Sequence, residues 1–328
     1  MADGPASKRV AKIRINLALQ GGGAHGAFTW GVVDRLLQDD TIEIAGISGT
    51  SAGALNGAAL KAGMVENGAE GARENLKWLW DQVSGIGDMR LAHWMTALFP
   101  APGLISRSIE NSLPYSLADT WTRMVSPYSY GPFYQNPLQR IAERFHYEDV
   151  CADRGPAFFV SATNVRTGKI RVFSGQEINT DVILASACLP TIFQAVEIDG
   201  EDYWDGGYTG NPALFPFFAP DLPGDIVIVN INPLERTETP REARDILNRI
   251  NEISFNSSLL RELRAIHFVQ RLISEGNVSE GAMKAVRIHM VSDDALMTEL
   301  SVASKLVPTP ATLAALFEAG QGAAERFL

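Results

Sequence analysis

Two glycine-rich turns restrict this chain more than any other feature, because each follows a short apolar run and each opens a helical pattern. The first is Leu19–Phe28 (LQGGGAHGAF), after Ile13–Leu19 (IRINLAL); the second is Gly49–Gly53 (GTSAG), after Ile42–Ile47. Runs of β-branched and apolar residues that stop at glycine read as buried strands. Behind the first turn Phe28, Val32, Val33, Leu36 and Leu37 recur at helical spacing. Behind the second, an Ala-rich stretch with Leu55 and Leu60 is expected to form a helix ending near Gly63. Strand, turn and helix, twice over, predict a parallel sheet with right-handed crossovers in an α/β fold.

Open α/β sheets bind ligands beyond the carboxyl ends of their strands, where both turns lie. Two chemistries compete for the first turn. Gly21, Gly23 and Gly26 satisfy G-x-G-x-x-G, the dinucleotide fingerprint, in the required strand-to-helix context. That fingerprint also wants an acid at the tip of the second strand, where this chain has Gly46-Ile47-Ser48-Gly49. A P-loop is excluded, since no Gly-Lys-Ser or Gly-Lys-Thr follows the glycines. The second turn instead reads G-x-S-x-G, with Gly49 and Gly53 relieving crowding around Ser51 at a sharp strand-to-helix turn. Ser51 is a candidate nucleophile there or simply the cap of the next helix. As a nucleophile it needs donors for the oxyanion it creates, and the amides of Gly22, Gly23 and Ala24 suit that task.

A serine hydroxyl also needs a base. The histidines are His25, His93, His146, His267 and His289. His289 sits within an apolar strand pattern and His267 within a helical one, so both read as structural. Asp205 is the other candidate, in Tyr203-Trp204-Asp205-Gly206-Gly207-Tyr208: the aromatic residues can exclude water, and desolvation would make the carboxylate a stronger base. Taken alone, Asp-Gly is equally a turn between two strands.

The remaining pattern gives strands at Ala157–Thr163 and Lys169–Ser174 joined as a hairpin, a helix over Asn179–Cys188, extended chain from Phe193 through Trp204, and a buried strand at Asp225–Ile231. A long helix follows from Arg241 to about Ser274, whose Ile246, Ile250, Ile253, Leu260, Leu263 and Val269 read as core or as a subunit interface. Val286–Val291 is a last strand and Pro310–Leu328 a C-terminal helix. Ahead of Ala157, residues 84–137 are rich in Gly, Pro and aromatic side chains, including Trp94, Phe99, Trp121 and Tyr130, and read as a cap on the sheet or a substrate-facing lid. With no repeat and no linker, residues 13–231 form one core carrying this insertion, and residues 232–328 a C-terminal helical extension packed on it within the same domain.

Charge and composition exclude other classes. A net charge of -10 with pI near 5.1 disfavours a nucleic-acid partner, whose phosphates want clustered Lys and Arg. Cys151 and Cys188 lack metal-ligand spacing and fit reduced thiols. Lys8, Arg9, Lys12 and Arg14 interrupt any signal-peptide core. No run reaches the ~18 apolar residues of a membrane span. The expectation is a cytoplasmic protein whose membrane contact, if any, is peripheral; its oligomeric state is open.

Together, Gly21–Gly26, Gly49–Gly53 and Asp205–Gly207 resemble the three motifs of the patatin-like phospholipases in order and spacing. Ser186–Pro190 and Asn211-Pro212 also resemble family positions. The resemblance implies a three-layer α/β/α fold with a mainly parallel central sheet. It implies acyl hydrolysis of lipid esters, phospholipase A or lysophospholipase in type, without cofactor or metal, in which Ser51 is the nucleophile and Asp205 the base. Gly21, Gly22, Gly23 and Ala24 would form the oxyanion hole, with Gly26, Gly49, Gly53, Gly206 and Gly207 supporting the turns. The partner is then a lipid or acyl-ester substrate at a membrane or lipid-granule surface. A nucleotide-dependent α/β enzyme and a surface-binding protein with little activity are the alternatives. One departure is His25, where many members carry Arg or Lys; a cation there would make the loop's electrostatics depend on pH.

Overall fold

The computed structural model describes residues 12–86, 102–110, 112, 125–279 and 281–328. Strand β1 (Ile13–Leu19), helix α1 (Gly26–Leu36), β2 (Ile42–Gly49) and α2 (Ala52–Ile86) make the two successive strand–turn–helix units. Helices α3 (Pro102–Glu110), α4 (Gln139–Ala142) and α5 (Tyr147–Val150) lead to the hairpin of β3 (Ala157–Asn164) and β4 (Ile170–Ser174). Next come α6 (Thr180–Ser186) and a second hairpin, β5 (Val196–Ile198) with β6 (Glu201–Asp205). The chain finishes with β7 (Asp225–Val229), α7 (Ala243–Ser274), β8 (Arg287–Val291), α8 (Asp294–Glu299), α9 (Val302–Leu306) and α10 (Pro310–Phe327).

The strands join in one sheet of order β5-β6-β3-β2-β1-β7-β8, with β4 also on β3. Its centre is parallel: β1 pairs with β2 and β7, β2 with β3, and β7 with β8. Thus the C-terminal part supplies a strand of the sheet as well as helices. Side chains alternate across each central strand, so the sheet has two cores. Leu17, Leu19, Val227 and Val229 face the larger one, with α1, α2 and α10, through Phe28, Leu60 and Leu316. Ala18, Ile226 and Ile228 face the other, where α7 contributes Leu259 and Ile266. This is the expected α/β fold with a mainly parallel sheet between helical layers.

One detail of the topology builds the site. Residues Phe159–Thr163 pair with β4, while Ala157–Val160 pair with β2 and Ala162–Asn164 with β6. Because β4 holds one edge of β3, β2 and β6 must share the other, end to end. Gly49 closes the β2 ladder opposite Val160, and Asp205 closes the β6 ladder opposite Ala162. The carboxyl ends of a parallel and an antiparallel strand therefore meet.

Helix α2 corrects the expected stop near Gly63. The helix runs through Gly63 and kinks at Asn67 and Gly68, where φ is 64° at the glycine. A Cβ on Gly63 would lie 2.3 Å from the Gly71 carbonyl oxygen, so its lack of a side chain serves packing across the kink and not termination. Of the aromatic insertion, Trp94, Phe99 and Trp121 lie outside the described residues. Its described end is tied to the segment before β5: Gln194 N–H donates to Tyr134 Oη (3.2 Å) and Ala195 N–H to Tyr128 Oη (3.0 Å). Among the described residues, no helix is long and apolar enough to cross a membrane.

Candidate active site

Ser51 stands between β2 and α2 with φ at 54°, left-handed backbone that costs a residue with a Cβ about 1–2 kcal/mol. Surrounding bonds hold it there. Its N–H donates to Ser186 Oγ (2.9 Å), whose own hydroxyl donates to the Ser161 carbonyl (2.7 Å). Next to it, Thr50 Oγ1 donates to the Gly210 carbonyl (2.7 Å) and Ser48 Oγ to that of Ala213 (2.6 Å). Both neighbouring glycines are sterically required: a Cβ on Gly53 would lie 2.1 Å from the Leu19 carbonyl oxygen, and one on Gly49 2.4 Å from that of Gly53. The serine so presented is half-buried at the N-terminus of α2, where the helix dipole favours negative charge.

Asp205, at the tip of β6, is 1% exposed. Its Oδ1 accepts the Gly207 N–H at 2.7 Å, and the Ser51 side chain is near enough to favour the charged carboxylate. Burial pushes its pKa up to about 7, against the opposing pull of the Gly207 and Ser51 hydrogen bonds. Its backbone is pinned at both ends of the residue: the N–H donates to the Cys188 carbonyl (2.8 Å), and the carbonyl accepts from Thr163 Oγ1 (2.8 Å). Gly206 and Gly207 are close-contact positions, against the Ser161 carbonyl and the Phe255 ring respectively.

The first glycine turn forms the facing wall. A Cβ on Gly21 would lie 2.7 Å from Ser51 Cβ, which brings the two turns into contact. The Gly21 N–H is already committed, donating to Asn211 Oδ1 at 2.6 Å, and its carbonyl accepts from Asn232 Nδ2 at 2.8 Å. Gly23 takes φ of 57°, and a Cβ on it would lie 2.3 Å from the Lys305 carbonyl oxygen. The loop is thus clamped from below by residues the motifs do not contain: Gln20 Oε1 accepts the N–H groups of Ile231 and Asn232, and Lys305 Nζ donates to Asn232 Oδ1 at 2.8 Å. Burial holds the Lys305 ammonium down to about 8.

His25 is buried, and its Nε2 lies 2.8 Å from Ser304 Oγ. Since Ser304 gives its proton to the Ser301 carbonyl (2.8 Å), His25 donates through Nε2, leaving Nδ1 bare and without a hydrogen-bond partner among the described residues. Burial first, and Lys305 second, hold the imidazole well below its usual range. The expected pH dependence of the loop through this residue is therefore corrected: His25 is a neutral strut. Of the other histidines, His289 Nε2 pairs with Asp225 Oδ1 across β7 and β8 (2.9 Å), His146 and His267 are exposed, and His93 lies outside the described residues. The sequence motifs place Ser51, Asp205 and the glycines; Ser304 and Lys305 carry no local signal, because only the packing of α9 on Gly23 brings them in.

A strained serine at a helix N-terminus, a buried acid beside it and a glycine loop against the serine, on a mainly parallel α/β sheet, define the class to which the chain is compared. A family model of patatin-like phospholipases matches residues 17–218, and the chain belongs to this family. Among solved structures, VipD from Legionella pneumophila is similar at 16% identity and a TM-score of 0.43, over 95% of this chain and 66% of that one. A chain of the heterodimeric ExoU-SpcU complex from the Pseudomonas aeruginosa type III secretion system is similar at 16% identity and a TM-score of 0.32, over 91% and 58%. The chain thus spans less than two thirds of their lengths. No curated protein matches it by sequence.

Proposed function

We propose that this protein hydrolyses fatty-acyl esters of lipids by a Ser51–Asp205 dyad. The observation that carries the reading is the Ser51 side chain beside a carboxylate buried to 1% exposure and lowering its pKa, in a chain of the patatin-like phospholipase family. Asp205 takes the proton as Ser51 Oγ bonds to the acyl carbonyl carbon, and the carbonyl oxygen gains the electron pair. Gly22, Gly23 and Ala24 are the donors available to that oxyanion, since Gly21 is held by Asn211. Collapse of the adduct breaks the ester bond, and the alcohol leaves with the proton from Asp205. Water, deprotonated by the same carboxylate, then releases the fatty acid from Ser51. A base pKa near 7 suits this exchange, because the group must both take and return a proton at neutral pH.

A fluorophosphonate probe is expected to label the protein at Ser51, and Ser51→Ala to abolish both labelling and ester hydrolysis. Turnover that survives Ser51→Ala removes the dyad. Lack of labelling in folded protein favours the surface-binding alternative, and a rise in melting temperature with NAD or FAD favours the nucleotide one.

A further inference from the structure

Helix α7 has two unlike faces. The inner face holds the site's flank: Phe255 packs against Gly207 and lies 5.3 Å from the Tyr208 ring, and Ser258 Oγ accepts the Asn211 N–H at 3.1 Å. Its acids also serve the protein, Glu252 pairing with Arg236 and Arg249 and Glu262 accepting the N–H groups of Leu214 and Phe215. On the opposite face Ile246, Ile250, Ile253, Leu260 and Phe268 are 40, 54, 54, 41 and 51% exposed. At 3.6 residues per turn these positions fall on one stripe, the reverse of what a helix packed on a globular core presents to water.

The same stripe carries Arg261, Arg264 and Arg271. Arg261 and Arg264 are exposed and form no ion pair with a described residue, while Arg271 lies 3.9 Å from Glu275. Within α7 no acid lies on this stripe, and Glu275, at the helix end, stands beside Arg271, although the whole chain carries a net charge of -10. Local cations set among large apolar side chains, on an acidic protein, complement an anionic bilayer surface. A second copy laid on the same face would bring the same arginines against a stripe whose acid, Glu275, already stands beside Arg271.

We infer that the outer face of α7, through Ile250, Ile253, Arg261 and Arg264, docks the protein on an anionic lipid bilayer and sets the Ser51–Asp205 cleft beside it. The inference rests on the lipid-ester reading for its purpose, but the docking itself is measured without catalysis. Ser51→Ala protein is sedimented with vesicles of phosphatidylcholine, with and without phosphatidylglycerol, at low and high salt. It is expected to bind the anionic vesicles and to weaken with salt. Ile250→Glu/Ile253→Glu and Arg261→Glu/Arg264→Glu, each added to it, are expected to weaken binding at least tenfold while keeping the helical circular dichroism. With Ser51 restored, both double variants are expected to hydrolyse a soluble short-chain ester at the parental rate.

The docking assignment is overturned if the parent does not bind anionic vesicles, or if both double variants bind as the parent does. It is also overturned if sedimentation equilibrium shows a dimer that Ile250→Glu/Ile253→Glu splits, which makes the face a self-association surface. Absence of soluble-ester hydrolysis in the parent counts against the proposed reaction alone and leaves the vesicle result standing.

Discussion

At the residue scale the decisive quantity is the desolvation of Asp205. An ordinary aspartate, with a pKa near 4, is a weak base at neutral pH; burial raises this one to about 7. The basic form is the carboxylate, so kcat/KM is expected to rise with pH along a limb centred near 7, and Asp205→Asn to lower it by roughly 100-fold or more. The same shift has a stability consequence of opposite sign. Between the unfolded pKa near 4 and the folded value near 7 the folded state holds the extra proton, so this group's contribution falls as pH rises through that window. Asp205→Asn should then melt no lower than the parent at pH 8, as differential scanning calorimetry would show, while its ester hydrolysis falls as expected above. A histidine contribution to the rate profile is not expected, because burial keeps His25 neutral; loss of the limb in His25→Gln would contradict that.

At the element scale the sheet brings the turns together, and glycine contacts between helices keep the layers close. Helices α1 and α10 cross backbone to backbone: a Cβ on Gly320 would lie 2.1 Å from the Phe28 carbonyl oxygen, and one on Gly31 2.0 Å from that of Phe317. Neither obstacle is a side chain that can swing away. Gly320→Ala is expected to destabilise by about 2–3 kcal/mol in urea unfolding, as overpacking does elsewhere. Gly322→Ala, on the same helix with its nearest neighbour the end of Arg326 at 3.6 Å, is the control. It should be neutral or stabilising, by up to about 1 kcal/mol of helix propensity. Sequence pattern alone finds α1 and α10 through their apolar spacing, but not that they pair, since nothing local distinguishes Gly320 from Gly322. The same limit explains α2: Gly63 reads as a helix stop and is a contact point.

Across the whole molecule, buried titratable groups of both signs shape the response to pH. Burial raises Glu262 to about 7 despite the Leu214 and Phe215 N–H groups at 2.9 and 2.8 Å, and Asp205 behaves alike. For both groups the folded state binds protons more tightly, so stability falls between about pH 4 and pH 7. Asp225 acts oppositely: its bonds to Arg287 and His289 hold it down to about 2, a contribution present above pH 4 and lost as pH falls toward 2. Buried His25 and Lys305, held below their usual ranges, pull the other way, the lysine from about pH 8 upward, so Glu262→Gln, which can still accept both N–H groups, is expected to make the melting temperature fall less, or rise more, from pH 5 to pH 8 than it does in the parent. An unchanged slope in the variant would place the pH dependence elsewhere. What the amino-acid order determined by itself was the sheet type and the two turns, and it made Ser51, Asp205 and the glycines the candidates, because strand periodicity and steric demand at a turn act over a few residues. Tertiary structure alone decided that β2 and β6 meet end to end, that Asp205 is dry, that Asn211 occupies the Gly21 amide, and that Lys305 and Ser304 brace the loop. Those outcomes depend on burial and on contacts between distant parts of the chain, which no local pattern encodes.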